Sequence, residues 1–174
     1  MNVGKVFEQQ FKKSVPDYCA LIRLRDEAQS FVKSEYSKYS HKNPFDFIMF
    51  DSMNRLFYCL ELKSTKQKYI GYEQLDSMEK QSKMIKKHQI EGLLKYSKFN
   101  NTVCGFLLNF RDEKNDMERT YFLHINDFMD IYNNTKKRSL NEVDILMHGG
   151  IKIFGNKKRI HYTWDIDKFC IENG

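Results

Sequence analysis

The stretch Asn43 to Thr65, NPFDFIMFDSMNRLFYCLELKST, limits what this chain can fold into more than any other. Phe45 to Phe50 and Leu56 to Lys63 are rich in aromatic and aliphatic residues. Between them Asp51, Ser52, Met53 and Asn54 are mostly turn formers, so the stretch predicts a β-hairpin. Side chains alternate along a strand: Asp46, Ile48 and Phe50 share one face of the first run, and Phe57, Cys59, Glu61 and Lys63 share one face of the second. With the turn centred between Met53 and Asn54, Asp46 falls directly opposite Glu61, and like charges facing each other across an antiparallel pair are destabilising.

A cation removes that conflict. Two carboxylates converging at a strand end, with an ammonium two residues further on, form the arrangement that Mg2+-assisted phosphodiester hydrolysis needs. The hard ion takes carboxylate oxygens and waters, while the lysine holds a water or stabilises charge developing on the phosphate. The plainer reading leaves Asp46, Glu61 and Lys63 as solvated residues on the open face of an ordinary sheet. For Glu-x-Lys by itself the plainer reading wins, since that tripeptide is common; the added aspartate in a strand preceded by Pro44, with a hairpin that can place it opposite the glutamate, favours the site.

A chain of 174 residues fits one domain, 1–174, large enough to bury a core. Its 29 Lys and Arg against 23 Asp and Glu give a net charge of +6, a mild basic excess that suits a polyanionic partner. Cys19, Cys59, Cys104 and Cys170 sit singly in apolar runs without a Cys-x-x-Cys pair, so buried free thiols are expected rather than zinc or a disulfide framework. The amino terminus has no apolar signal region and no apolar run is long enough to cross a bilayer, which predicts a soluble, cytoplasmic protein with no membrane contact.

Taken in order, Val3, Phe7 and Phe11 predict an amphipathic helix over Val3 to Ser14, with Glu8 bordering its apolar stripe. Tyr18 to Arg25 reads as a strand, and Asp26 to Lys42 as a loop with a short helix near Glu27 to Lys33. After the hairpin, KQKYIGY (Lys66 to Tyr72) has the character of a basic and aromatic loop. Periodicity predicts a helix from Glu73 to Phe99. In it Gln89 shares the stripe of Ile85 and Leu93, either reaching a ligand or bonding to backbone at the stripe's edge. Val103 to Phe110 and Tyr121 to Leu123 form a second hairpin around a polar turn. Asn126 or Asp127 would cap a short helix, and Ser139 with Glu142 has the spacing of a capping box for a helix ending at Gly149 and Gly150. Two short strands, Ile151 to Phe154 and Ile160 to Trp164, flank the basic run Lys157, Lys158, Arg159. The fold class is α/β with a mixed sheet.

This order of elements and charges resembles the PD-(D/E)XK nuclease superfamily and, within it, the RecU family of Holliday junction resolvases. GKVFEQQFKKSVP is similar to the family's opening helix, NPFDFIMF and LFYCLELKST to its metal-binding Asp and Glu-x-Lys-x-Thr signature, and KKHQIEGLLKYSKFNNTVCGFLLNF to its His-Gln-Ile helix and following strand. RSLNEVDILMHGG and Lys157 to Tyr162 are similar to its carboxyl end, with His161 where the family has an acidic residue. Ser14 to Asp46 is shorter than the family's stretch there, which forms a stalk that enters the junction.

The resemblance implies a restriction-endonuclease-like core, a mixed central β-sheet flanked by helices, and a homodimer that nicks opposing strands of a DNA four-way junction. Asp46, Glu61 and the carbonyl of Leu62 would hold Mg2+ or Mn2+, Glu8 would complete the site, and Lys63 and Gln89 would orient the attacking water. Lys5, Thr65, Lys66, Lys68, Lys157, Lys158 and Arg159 would contact DNA, and recombination proteins are implied partners. Two rival readings remain: a nuclease of this superfamily for flaps, mismatches or duplex, and a non-catalytic basic DNA-binding protein.

Overall fold

Leu56–Thr65 is the strand around which the rest is laid. The computed structural model describes residues 2–24, 42–77, 81–159 and 161–173. Its elements are α1 (Val3–Lys12), β1 (Cys19–Arg23), β2 (Phe47–Asp51), β3 (Leu56–Thr65), β4 (Ile70–Gly71), α2 (Lys87–Tyr96), β5 (Thr102–Asp112), β6 (Met117–His124), α3 (Ile125–Asn134), β7 (Ser139–Leu140), α4 (Glu142–Met147), β8 (Ile151–Ile153), β9 (Gly155–Lys158), β10 (His161–Trp164) and α5 (Ile166–Asn173).

A six-stranded sheet runs β1-β2-β3-β5-β6-β8. β3 and β5 are parallel, as a crossover through α2 requires, and the other pairs are antiparallel. Helices cover both faces, so β3 is buried on both sides from Tyr58 to Leu62 and opens with a continuous apolar run, Leu56 to Leu60. On one face Cys59, Phe106, Leu108 and Phe110 pack against Ile90 and Leu93 of α2 and Phe128 of α3. On the other, Tyr58, Leu60, Leu107 and Phe122 meet Phe7 and Phe11 of α1, Trp164, and Phe169 of α5. Each such side chain contributes about 1.5–3 kcal/mol on full burial. The result is the mixed α/β architecture expected from the sequence.

Several local expectations are corrected. Among the described residues, the helix predicted over Glu73 to Phe99 is confined to α2, because backbone before it is used otherwise. Tyr72 and Ile85 form a parallel bridge, with Ile85 N–H donating to Gly71 O and Glu73 N–H to Ile85 O, both 3.0 Å. Lys66 to Tyr72 is not all loop, since β4 within it pairs with β7. That pairing takes Ser139 into a strand, and α4 is instead capped by Asn141, which accepts from Asp144 N–H at 2.9 Å while the Asp144 carboxylate accepts from Asn141 N–H at 3.1 Å. Glu142 meanwhile grips Arg119 through both oxygens at 2.7 and 2.8 Å. His124, not Asn126 or Asp127, caps α3. The basic run lies in β9 and its turn rather than between strands, and α5 was not anticipated. The loop and short helix expected over Asp26 to Lys42 lie outside the described residues, Lys42 excepted.

Candidate active site

The turn after β2 sets the register of the site. Asp51 accepts from the N–H groups of Met53 and Asn54 at 2.9 and 3.2 Å and from the Asn54 side chain at 2.9 Å, and Arg55 takes the left-handed conformation with φ 57°. The pairing that follows, Asp51 with Leu56 through Phe47 with Leu60, carries Asp46 to the position facing Glu61. Three hydrogen bonds then fix Asp46: its N–H donates to Leu60 O (3.1 Å), its carbonyl accepts from Leu24 N–H (2.8 Å), and its Oδ2 accepts from Leu62 N–H (2.9 Å). A strand residue presents its N–H and C=O to the same neighbour, so the Leu62 carbonyl looks toward the same side as Asp46.

Glu61 is 1% exposed. Its Oε1 accepts from Lys63 Nζ at 2.5 Å and from Gln89 Nε2 at 2.6 Å. Its Oε2 is buried and without a hydrogen-bond partner. Burial pushes the Glu61 carboxyl up to about 8; Lys63 opposes this, and Asp46 adds to it by its charge and by a carboxyl-to-carboxyl hydrogen bond that favours the protonated form. Asp46 is raised as well, first by burial and further by Glu8, against the Leu62 amide, Lys63 and Arg23. Two carboxyls are thus held side by side in a place that disfavours their charged forms.

Gln89 is aimed by its own helix. Lys86 N–H donates to Gln89 Oε1 at 2.9 Å, which closes the first turn of α2 and leaves only the amide NH2 to face Glu61. The helix itself sits unusually close: a Cβ on Gly92 would lie 2.4 Å from Pro44 Cβ and 2.8 Å from Pro44 backbone atoms. The segment leading into Asp46 and the helix carrying Gln89 are therefore packed directly on each other. Gln89 thus bonds to backbone, one of the two roles the sequence left open, and its amide NH2 meets the Glu61 carboxylate.

Glu8 stands at the border. Its Oε2 accepts from Arg23 Nε at 2.9 Å, and its charge acts on Asp46, but it is bonded to the arginine rather than to the carboxyl pair. A pocket of about 230 Å³ opens between Arg23, Asn43, Asp46, Glu61, His88 and Gln89. Arg23 and His88 were missed in the sequence. Arg23 ends a strand where a solvated charge is ordinary, and the signal for His88 was its place beside Gln89.

The residues expected to contact DNA are not gathered at this pocket. Lys5, Lys68, Lys158 and Arg159 are exposed. Lys66 pairs with Glu113 at 2.5 Å and Lys157 pairs with Asp116. Lys66 and Lys68 line a separate cleft with Arg111, Lys114 and Arg119. Thr65 is 5% exposed and its Oγ1 accepts from Gln67 N–H at 3.0 Å, which makes it a turn former in this conformation.

The donors converging on the pocket fit a hard divalent ion. Asp46, Glu61 and the Leu62 carbonyl offer oxygen alone, which suits Mg2+ or Mn2+ and not a thiophilic metal. The bare Glu61 Oε2 is the atom whose burial such an ion would compensate.

No protein-family model matches the chain. Among the described residues, no helix is long and apolar enough to cross a membrane. The fold is similar to that of Archaeoglobus fulgidus Hjc, a Holliday junction resolvase from an archaeal hyperthermophile, at 14% identity and a TM-score of 0.44, covering 78% of this chain and 83% of that one. In sequence it is 32% identical over 183 aligned positions to the SPbeta prophage-derived uncharacterized protein YotM of Bacillus subtilis (strain 168), covering 98% of this chain and 86% of the relative. Identity of that extent along nearly the whole chain makes this protein a member of the YotM family.

Proposed function

We propose that the chain is a metal-dependent, structure-specific DNA endonuclease that resolves four-way junctions by paired, symmetric nicks. The observation that carries this reading is the buried, partnerless Oε2 of Glu61 beside Asp46, with Lys63 on the opposite oxygen. The RecU-like order of motifs supports the junction as substrate, and the residues fit the ion that such chemistry uses. Asp46, Glu61 and the Leu62 carbonyl would hold Mg2+ or Mn2+, which when bound would supply Lewis-acid charge to the scissile phosphodiester.

The chain's own groups do the rest. Lys63, paired with Glu61 in this structure, keeps its ammonium beside the reacting phosphate, where it steadies a water and offsets charge developing on the phosphate oxygens. Gln89, locked through Lys86, holds the Glu61 carboxylate in one orientation. Glu8 and Arg23, paired with each other at the rim, would add negative charge for the ion and a guanidinium for phosphate. A homodimer of one-domain chains, acting in the cytoplasm, matches the two-fold symmetry of a junction.

The test compares a labelled four-way junction with a linear duplex of identical sequence at one salt concentration, with Mg2+, with Mn2+ and with neither. Paired nicks in the junction that require the ion support the proposal. Product without metal, or none with it, contradicts it. Equal cleavage of junction and duplex moves the substrate to ordinary DNA and keeps the chemistry.

A further inference from the structure

At the far end of β2 from Asp46, two thiols from opposite ends of the chain meet a carboxylate. Cys19 of β1, Asp51 of β2 and Cys170 of α5 each offer a ligand atom, and these atoms all lie within 4.8 Å of one another. Asp51 and Cys170 are fully buried, and Cys19 is partly exposed, so the cluster borders solvent. A second observation points to the same place. Tyr58 of β3 is 0% exposed and its hydroxyl has no hydrogen-bond partner outside the cluster; the groups that act on it are Cys170, Asp51 and Cys19, Cys170 through the hydroxyl as well as by charge.

Among the described residues, the titratable groups that act on the two thiols are acidic. The thiols of Cys19 and Cys170 feel each other, Asp51, and Asp167 of α5, whose carboxylate accepts from the Tyr18 hydroxyl at 2.7 Å. Burial pushes both thiols up, so they stay protonated in this form. The hydrogen bonds to Asp51 come from the turn at Met53 and Asn54: Oδ1 accepts two and Oδ2 one, so Oδ2 keeps a lone pair for another partner. Two sulfurs and an oxygen converging in a desolvated place are the donor set of a borderline-soft ion, unlike the all-oxygen set at Asp46 and Glu61.

We propose that Cys19, Asp51 and Cys170 form a structural site for a thiophilic divalent cation of the Zn2+ class, with the Tyr58 hydroxyl facing it. Binding releases the two thiol protons to solvent and joins two thiolates and one carboxylate to the ion. The ion ties β1 and α5 to the turn that sets the hairpin register, and so braces Asp46 against Glu61 from a distance. The site does not depend on the proposed nuclease activity.

The experiment titrates the reduced, metal-free full chain with Co2+ and follows the near-ultraviolet thiolate-to-cobalt absorption band, then displaces Co2+ with Zn2+. The expected result is a thiolate band that saturates at one ion per chain, is abolished by Zn2+, is lost in Cys19→Ser and Cys170→Ser, and is unchanged in Glu61→Gln. Zn2+ should also shield Cys19 from alkylation in the unaltered protein, a readout that holds if a variant fails to fold. Absence of the band, a band that survives both serine variants, or a Cys19–Cys170 disulfide formed in air with no ion bound overturns the proposal.

Discussion

Gln89 and Lys63 hold the same oxygen of Glu61, at 2.6 and 2.5 Å, and leave the other oxygen bare. The pair acts as a two-sided clamp: one donor comes from the strand that carries the glutamate, the other from a helix whose first turn fixes the amide. Removing Gln89 frees the carboxylate to rotate while leaving every ligand in place. Gln89→Ala should weaken Mg2+ binding and lower cleavage about 10- to 100-fold, and excess Mg2+ should recover most of the rate. A loss that Mg2+ does not recover assigns Gln89 a different role.

Lys63 and Asp46 separate chemistry from binding. Lys63→Ala and Asp46→Asn should each lower cleavage roughly 100- to 1,000-fold while junction affinity in a gel-shift assay stays nearly unchanged. Lost binding with retained cutting would make both residues DNA contacts instead of parts of the reacting centre.

Glu61 also makes stability depend on pH. A carboxyl whose proton is held more tightly folded than unfolded stabilises the fold while protonated. That contribution is complete below the ordinary carboxylate range and is lost as pH rises through about 8. The metal-free protein should therefore melt at progressively lower temperature from pH 5 to pH 9, with Asp46 pulling in the same direction. Glu61→Gln should flatten the trend, and the gain in melting temperature from added Mg2+ should grow with pH, because the ion competes with the proton. A melting temperature that rises over this range would contradict the assignment.

Gly92 is the contact that brings α2 to the site. Any side chain there strikes Pro44, including its backbone, so the helix must move away from the segment leading into Asp46. Gly92→Ala should cost about 1–3 kcal/mol of stability and also weaken Mg2+ binding, whereas an equally destabilising change elsewhere in the core should leave Mg2+ binding intact. Thermal melts paired with an Mg2+ titration of both variants check this.

What could be read from the residues follows physical reach. The pairing of Asp46 with Glu61 was legible because a short turn counts residues directly from one strand to the other. The extent of α2 was not, since Tyr72 and Ile85 are both 0% exposed, and burying them in the core outweighed the helical periodicity between them. Ser139 lost its expected capping role to Asn141 because its backbone is used in the pairing with Gly71. The α5 helix did carry a signal, Ile166, Phe169 and Cys170 at helical spacing, all buried. The meeting of Cys19 with Cys170 carried none, because only the folded sheet brings those two segments together. Arg23 was invisible for the same reason: its partner Glu8 lies on a different element.

The proposed chemistry requires Asp46 and Glu61 to share one divalent ion beside Lys63. Anomalous scattering from crystals grown with Mn2+ tests this directly. The expected result is a single strong peak within coordinating distance of an Asp46 carboxylate oxygen and of Glu61 Oε2. A peak elsewhere with these two carboxyls bare, or ions held by one of them alone, would contradict it.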